Sequence, residues 1–390
     1  MPPYHSGAAP RAGRQMISGR SAVDYPWLEE YRTCGIPVTL EPYPDEPSHF
    51  FVQRAARQFP RMGCVQLGLE ISYAEIDALS DSLALALGGL GVEKGDRVAT
   101  MLPTSVQFVL ADTAISKAGA AHVPCSFLES PVNLGRKFEE SAPGALIVLA
   151  EHLPLAERLR ELVAGGNVIV TDLHDFSAGK CRRGHPGGAM RLLDLIERSG
   201  RGAPRVDIDP ARDLETLLFT GGTTGVAKGC MLTHRNVVAN AIQNPVVFGP
   251  SGNLFRGNMS VMMGNPFFHS YGHSIFHTMA QMCFTLLLLP DPRDYRSMLA
   301  MVREYHPVLQ AGVPVQFRNL LAEDTRRARV IGISGSAPLQ PGTQDRFEER
   351  GAGVVTEGYG LSELTAVSHF NVSTLIRLMG GRKMLKLLNA

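Results

Sequence analysis

The ten residues from Thr220 to Gly229 hold the densest chemistry in the chain. Threonines at 220, 223 and 224, glycines at 221, 222, 225 and 229, and Lys228 follow the apolar residues Leu217, Leu218 and Phe219. Glycines let backbone N–H groups approach a ligand closely, threonine hydroxyls donate to phosphate oxygens, and a lysine adds a point charge. By composition this is a phosphate cradle at the end of a strand, and the residues after Lys228 could be helical. The other reading is a plain glycine turn between strand and helix. Three common loop types fail on the letters. A Walker A lysine is preceded by glycine and followed by serine or threonine, whereas Lys228 sits between Ala227 and Gly229. The dinucleotide pattern G-x-G-x-x-G breaks at Thr356 after Gly351 and Gly353. A hydrolase elbow would need glycine where Ser336 follows Gly332-Ile333-Ser334-Gly335.

The elements that would hold such a loop alternate between strand and helix from about residue 65. Ser72 and Glu75 form an S-x-x-E capping box ahead of Ile76, Leu79, Leu83 and Leu87, and Gly88 and Gly89 close that helix. The strand "RVATML", a helix over roughly 104–118 ended by Gly119, and the strand "AHVP" follow. Strand-like runs continue at 145–149, 167–171, 214–219, 284–289 and 330–334, and 353–363 reads as a strand entering a polar turn. This alternation predicts a largely parallel sheet covered by helices on both faces. The glycine-rich basic stretch 177–188 reads as an exposed loop.

The bulk properties exclude several classes. A formal net charge of +1 over 390 residues argues against nucleic acid as the main partner. Six cysteines without a C-x-x-C pair indicate neither a disulfide framework nor a zinc site, and a reducing cytoplasm fits best. The most apolar run, "FTLLLLP" at 284–290, is far shorter than the ~18 residues of a membrane-spanning helix and reads as a buried strand. The first twenty residues carry three arginines and no acid, without an apolar core for a secretory signal. They read as a flexible leader, with an organelle transit peptide as the alternative.

"TGGTTGVAKG" resembles the phosphate-binding motif of the adenylate-forming (AMP-binding) superfamily. "ISYAEIDALSDSLALAL", "GVEKGDRVATMLP", "AISKAGAAHVP", "PFFHSYG", "SGSAPL" and "EGYGLSE" follow in the order that the family shows. Within it, "VAKGCMLTHRN" and the stretch from "PWLEEY" to "PYPDEPSHF" are most similar to long-chain fatty acyl-CoA ligases. The resemblance implies an α/β fold: the large N-terminal domain of these enzymes, with mixed, mostly parallel sheets covered by helices, and without their small C-terminal domain. Residues 1–40 would then be a partly flexible leader, 41–370 an incomplete adenylate-forming domain, and 371–390 an atypical tail.

The same resemblance implies ATP-dependent activation of a carboxylate, a fatty acid by preference, to acyl-AMP, followed by thioester formation with coenzyme A. Thr220, Gly221, Gly222, Thr223, Thr224, Gly225 and Lys228 would hold the β- and γ-phosphates of ATP. Gly335, Ser336, Ala337 and Pro338 would form the wall beside adenine, on which Tyr359, next to Gly360, would stack. Ser362 would lie near the α-phosphate, and Glu363 would hold Mg2+. His269 matches the family histidine near the substrate carboxylate. His269, His273 and His277 recur every four residues, which would align three imidazoles on one helix. Gly272 is expected to interrupt that helix and no carboxylate or cysteine joins the set, so a metal site is not favoured.

The resemblance of the motifs stops near Phe370. No Asp or Glu follows Glu363, so the family's ribose-binding aspartate has no candidate there. The last residues combine Leu375, Ile376, Leu378, Met379, Leu385 and Leu388 with Arg377, Arg382, Lys383 and Lys386. That basic amphipathic pattern could give peripheral contact with a membrane or a partner. The preferred reading is that a frameshift or premature end has replaced the family's continuation. Two functions therefore stand side by side: a cytoplasmic ligase, and an inactive truncated protein that binds a nucleotide or a partner.

Overall fold

The computed structural model describes residues 25, 27–177, 189–200, 202–220, 227–246, 255–323, 325, 328–340 and 342–371. The expected leader up to residue 24, most of the 177–188 loop, the glycine-threonine segment 221–226 and the tail from 372 lie outside these residues. A helix, Trp27–Cys34, forms within the segment expected as a leader.

The described strands, numbered in chain order, form two sheets. One has eight strands in the spatial order β15 (Ala366–Phe370), β14 (Gly353–Leu361), β13 (Val330–Ser334), β12 (Leu309–Gly312), β10 (Ser260–Met263), β11 (Thr285–Leu288), β1 (Gly63–Gln66) and β2 (Leu69–Ser72). The other has seven: β7 (Met190–Arg191), β6 (Val168–Thr171), β5 (Ala145–Leu149), β3 (Arg97–Met101), β4 (Ala121–Pro124), β8 (Leu214–Thr220) and β9 (Lys228–Thr233). Among the described residues only the β1–β2, β14–β15 and β8–β9 pairings are antiparallel. Strands of a parallel sheet are covered on both faces, which is why β5 is an uninterrupted apolar run and β6 is apolar up to Thr171, both buried at every position.

Local signals set the helices that hold the sheets together. The Ser72 hydroxyl accepts from Glu75 N at 3.2 Å while the Glu75 carboxylate accepts from Ser72 N at 2.8 Å, starting the Tyr73–Gly89 helix. Ser105 caps the Val106–Lys117 helix through Phe108 N, and Gly119 takes a left-handed φ of 71° just beyond its end. Every residue of Val106–Lys117 is buried, because the helix packs on strands of both sheets. The segment after Lys228 departs from expectation. It continues as β9, antiparallel to β8, before the His234–Gln243 helix begins at a capping box of Thr233 and Asn236.

The helix Ser270–Gln281 runs unbroken through Gly272, contrary to expectation. A Cβ at 272 would collide with the carbonyl of Pro266, so glycine here permits close approach of the first helical turn to the preceding segment. Gly272→Ala, which in an open helix would gain about 1 kcal/mol, is expected instead to cost about 1–3 kcal/mol through overpacking. Urea denaturation checks this, and a stabilised variant would contradict the close approach.

Where the first helices meet this core, the His49 Nδ1 lies 2.9 Å from Ser116 Oγ. Burial, and then the charges of His234 and Lys117, lower the His49 pKa from 6.5 to about 3. The unfolded chain therefore takes up a proton that the folded chain refuses. The resulting stability is present above pH 6.5 and is lost as pH falls from 6.5 toward 3, by up to ~1.4 kcal/mol per pH unit. His49→Asn should flatten urea midpoint against pH between about 6.5 and 4. An unchanged slope would mean that His49 titrates freely.

Candidate functional site

The glycine-threonine segment is the connection between β8 and β9, and its flanks are paired: Thr220 opposes Lys228, and the Thr220 hydroxyl donates to the Lys228 carbonyl at 3.4 Å. Thr220 and Ala227 open on a cavity of about 490 Å³ whose wall also includes His269, Ser270 and Ser362. Ser362 donates to Ser270 Oγ at 3.0 Å, which ties the end of β14 to the first turn of the Ser270–Gln281 helix. The floor carries two cations that no motif had flagged, Arg136 and Lys137, on the Pro131–Ser141 helix. Lys137 is held by Glu129 at 2.7 Å and lies over the Phe219 ring, whereas Arg136 is exposed and forms no ion pair among the described residues. An anion entering this cavity would meet the ends of β8 and β9 on one side and a guanidinium on the other.

His269 and Ser270 also line a second cavity, of about 400 Å³, with Tyr271, Val313, Val315 and Ser336. His269 thus stands between the two cavities. Burial lowers its pKa; the Glu129 charge opposes that and the Lys137 charge adds to it, so the imidazole is neutral at neutral pH. In the second cavity Ser336 adopts a left-handed φ of 69°. Gly335 lies against the Tyr271 ring so closely that a Cβ would come 3.0 Å from Cε1, and Tyr271 OH donates to the Ile333 carbonyl at 2.8 Å. Glu357, the first residue of "EGYGLSE" and given no role there, accepts from Leu339 N at 2.7 Å and secures the Gly335–Pro338 turn to β14.

The other predicted residues sit at the margin. Lys228 is exposed at the start of β9. Tyr359 is exposed on β14, its ring 5.9 Å from that of His369, and β14 runs through Gly360 to Leu361 before entering the expected polar turn. Glu363 lies on a 3-10 turn, Ser362–Leu364, exposed and near β9: burial, then the Glu363 charge, pushes the Cys230 thiol up. Lys228, Ala337, Pro338, Tyr359, Gly360 and Glu363 line neither cavity. Gly221, Gly222, Thr223, Thr224 and Gly225 lie outside the described residues.

The family described as AMP-binding enzyme matches residues 52–384. The chain belongs to the AMP-binding enzyme family. The match continues past Phe370, where the resemblance of the motifs stops. Within the family, a long-chain-fatty-acid–CoA ligase of Bacillus subtilis (strain 168) is 29% identical in an alignment 376 positions long that covers 89% of this chain and 65% of that relative. The 4-coumarate–CoA ligase 5 of Oryza sativa subsp. japonica is 30% identical in an alignment 308 positions long that covers 76% of this chain and 53% of that protein. The chain spans about 65% of the length of the long-chain-fatty-acid–CoA ligases it matches. A long-chain-fatty-acid-CoA ligase from Archaeoglobus fulgidus superposes with a TM-score of 0.75 at 18% identity, over 88% of this chain and 69% of that one. The inhibitor-bound N-terminal domain of FACL13 from Mycobacterium tuberculosis does so with a TM-score of 0.69 at 23% identity, over 82% and 76%. At these identities the structures speak for the fold alone, and they bear out the expected N-terminal domain of the AMP-binding enzymes.

The helix bearing His269 corrects one reading of the AMP-binding chain. His273 and His277 share a face of the helix, and carboxylates do join them: Asp112 from Val106–Lys117 and Glu215 from β8. His273 Nε2 is 3.0 Å from Asp112 Oδ1, and His277 Nε2 is 3.3 Å from Glu215 Oε1. Burial would raise the Asp112 carboxyl, but hydrogen bonds from His122 and His273 hold it well below its usual range. Burial would lower His273, but Glu215 and then Asp112 raise it. His269 is outside this cluster. Sequence spacing missed it because the two acids stand 103 positions apart on different elements; the available signal was an acid set inside each of two apolar runs, since a buried carboxylate requires partners. Among the described residues no helix is long and apolar enough to cross a membrane.

Proposed function

We propose that this chain activates a carboxylic acid with ATP, forming an acyl-adenylate and pyrophosphate, and that coenzyme A is the thiol acceptor of the acyl group. The observation that carries this reading is the meeting of the flanks of the glycine-threonine segment, Ser362 and His269 at one cavity. A substrate carboxylate oxygen attacks the α-phosphorus in line, the new P–O bond forms as the α–β bridge breaks, and pyrophosphate leaves with the electron pair. The carboxylate is already ionised, so no general base is needed; positioning and charge neutralisation do the work. Thr220, Lys228 and Arg136 serve the β- and γ-phosphates, and Ser362 the α-phosphate. Neutral His269 orients the carboxylate at the junction of the cavities. Tyr359 and the Gly335–Pro338 turn serve the adenine.

The exposed Glu363 carboxylate is a hard oxygen donor of the kind Mg2+ takes, with phosphate oxygens and water completing its shell. Magnesium held there would neutralise charge on the leaving pyrophosphate. A fatty acid is the preferred substrate, supported by the apolar Val313 and Val315 in the wall of the second cavity and by the similarity to the long-chain-fatty-acid–CoA ligases of Bacillus subtilis and Salmonella typhimurium.

Carboxylate-dependent ATP–pyrophosphate exchange across short, medium and long fatty acids and an aryl acid tests the proposal. Exchange that rises with one acid class names the substrate. Folded protein that binds ATP without exchange would overturn it in favour of a nucleotide-binding protein. Exchange without thioester formation would assign only the first half-reaction to these residues.

A further inference from the structure

We propose that Asp112, Glu215, His273 and His277 form a closed site for one divalent first-row transition cation of the zinc type. One ligand atom from each lies within 4.8 Å of all the others, and each residue is at most 3% exposed. Four donors at about 2.0–2.1 Å from a tetrahedral ion are separated by roughly 3.3 Å. The contacts between imidazoles and carboxylates fall around that spacing, each imidazole facing a different oxygen of each carboxylate: His273 Nε2 is 3.0 Å from Asp112 Oδ1 and 3.9 Å from Glu215 Oε2, while His277 Nε2 is 3.3 Å from Glu215 Oε1 and 3.5 Å from Asp112 Oδ2. Two imidazoles with two carboxylates are a donor set for zinc and its neighbours rather than for magnesium or calcium, which take oxygen.

The cluster is not complete as a hydrogen-bonded network. Glu215 Oε2 and His277 Nε2 are buried without a hydrogen-bond partner, as is His273 Nδ1. Orphaned buried atoms of this kind are costly, and a cation between them would satisfy the first two. An outer layer orients the carboxylates: His122 Nδ1 lies 2.7 Å from Asp112 Oδ1 while its Nε2 engages Thr100 Oγ1 at 2.8 Å, and Ser48 Oγ donates to Glu215 Oε1 at 3.3 Å. With four buried protein donors, the site is structural. It joins two parts of the activation site: Glu215 lies on the strand that ends in Thr220, and His273 lies one turn beyond His269.

The test is metal content of the full chain, expressed in zinc-supplemented medium and purified without chelator. Native mass spectrometry and elemental analysis should find about one equivalent of ion per chain that survives desalting and is released by chelator only on unfolding. Chain produced with Co2+ should show tetrahedral d–d absorption. His273→Gln combined with His277→Gln should reduce bound metal at least about tenfold, and Glu215→Gln, which preserves shape, serves if that variant fails to fold. Folded wild-type chain without stoichiometric zinc, manganese or iron overturns the proposal, as does metal retained equally by the variants.

Discussion

Lys228→Ala is expected to lower carboxylate-dependent ATP–pyrophosphate exchange by about 10²–10³-fold, the usual effect of removing one donor that serves developing charge. Lys228 opens β9 directly opposite Thr220, two residues after the end of the glycine-threonine segment 221–226 in the sequence. The side chain is exposed and forms no ion pair among the described residues, so its removal leaves no buried charge behind. The melting temperature should therefore stay unchanged while exchange collapses. That separation is the useful part, because a lysine with a merely structural role would move both or neither. Glu363→Ala should act in the same direction and respond to added Mg2+, since one carboxylate among several phosphate and water oxygens is a partial contribution. Exchange by Lys228→Ala within about threefold of wild type would remove Lys228 from the phosphate site and weaken the case for the neighbouring loop.

The parts of this fold that were legible in the sequence are those fixed by local chemistry. The Ser72–Glu75 box, the Val106–Lys117 helix with its Ser105 cap and the Gly119 beyond its end, and the strands β5 and β6 depend on residues within a few positions of one another. Long-range sterics hid the rest. Gly272 reads as a helix breaker by propensity, yet the Pro266 carbonyl beside it makes glycine the residue that lets the helix continue. The residues after Lys228 pair with β8, an interaction that no window confined to 228–236 contains. The site divides in the same way. Thr220, Ser362 and His269 came from motifs and meet at one cavity, whereas Arg136 enters from a helix whose sequence carries only a basic dipeptide.

Asp112→Ala should be the most damaging single substitution for folding, at about 3–5 kcal/mol. The carboxylate sits at the convergence of three imidazoles: His122 at 2.7 Å, His273 at 3.0 Å and His277 at 3.5 Å. All of these groups are buried, so alanine would leave His273 and the Glu215 carboxylate to share a poorly neutralised cavity. A domain of ordinary stability holds only about 5–15 kcal/mol in total, so roughly a fifth or more of the margin would go, with the melting temperature falling by something on the order of 5–10 °C. Asp112→Asn keeps the volume and one acceptor and should cost less. The comparison also separates charge from packing: equal losses would mean that the carboxylate acts through its negative charge, and a loss confined to alanine that it acts through shape and hydrogen bonding. Because Asp112 shares its imidazoles with the helix that carries His269, the surviving folded fraction of either variant should also show weaker exchange. Full exchange per folded molecule would instead mean that the buried cluster stabilises the domain without positioning His269.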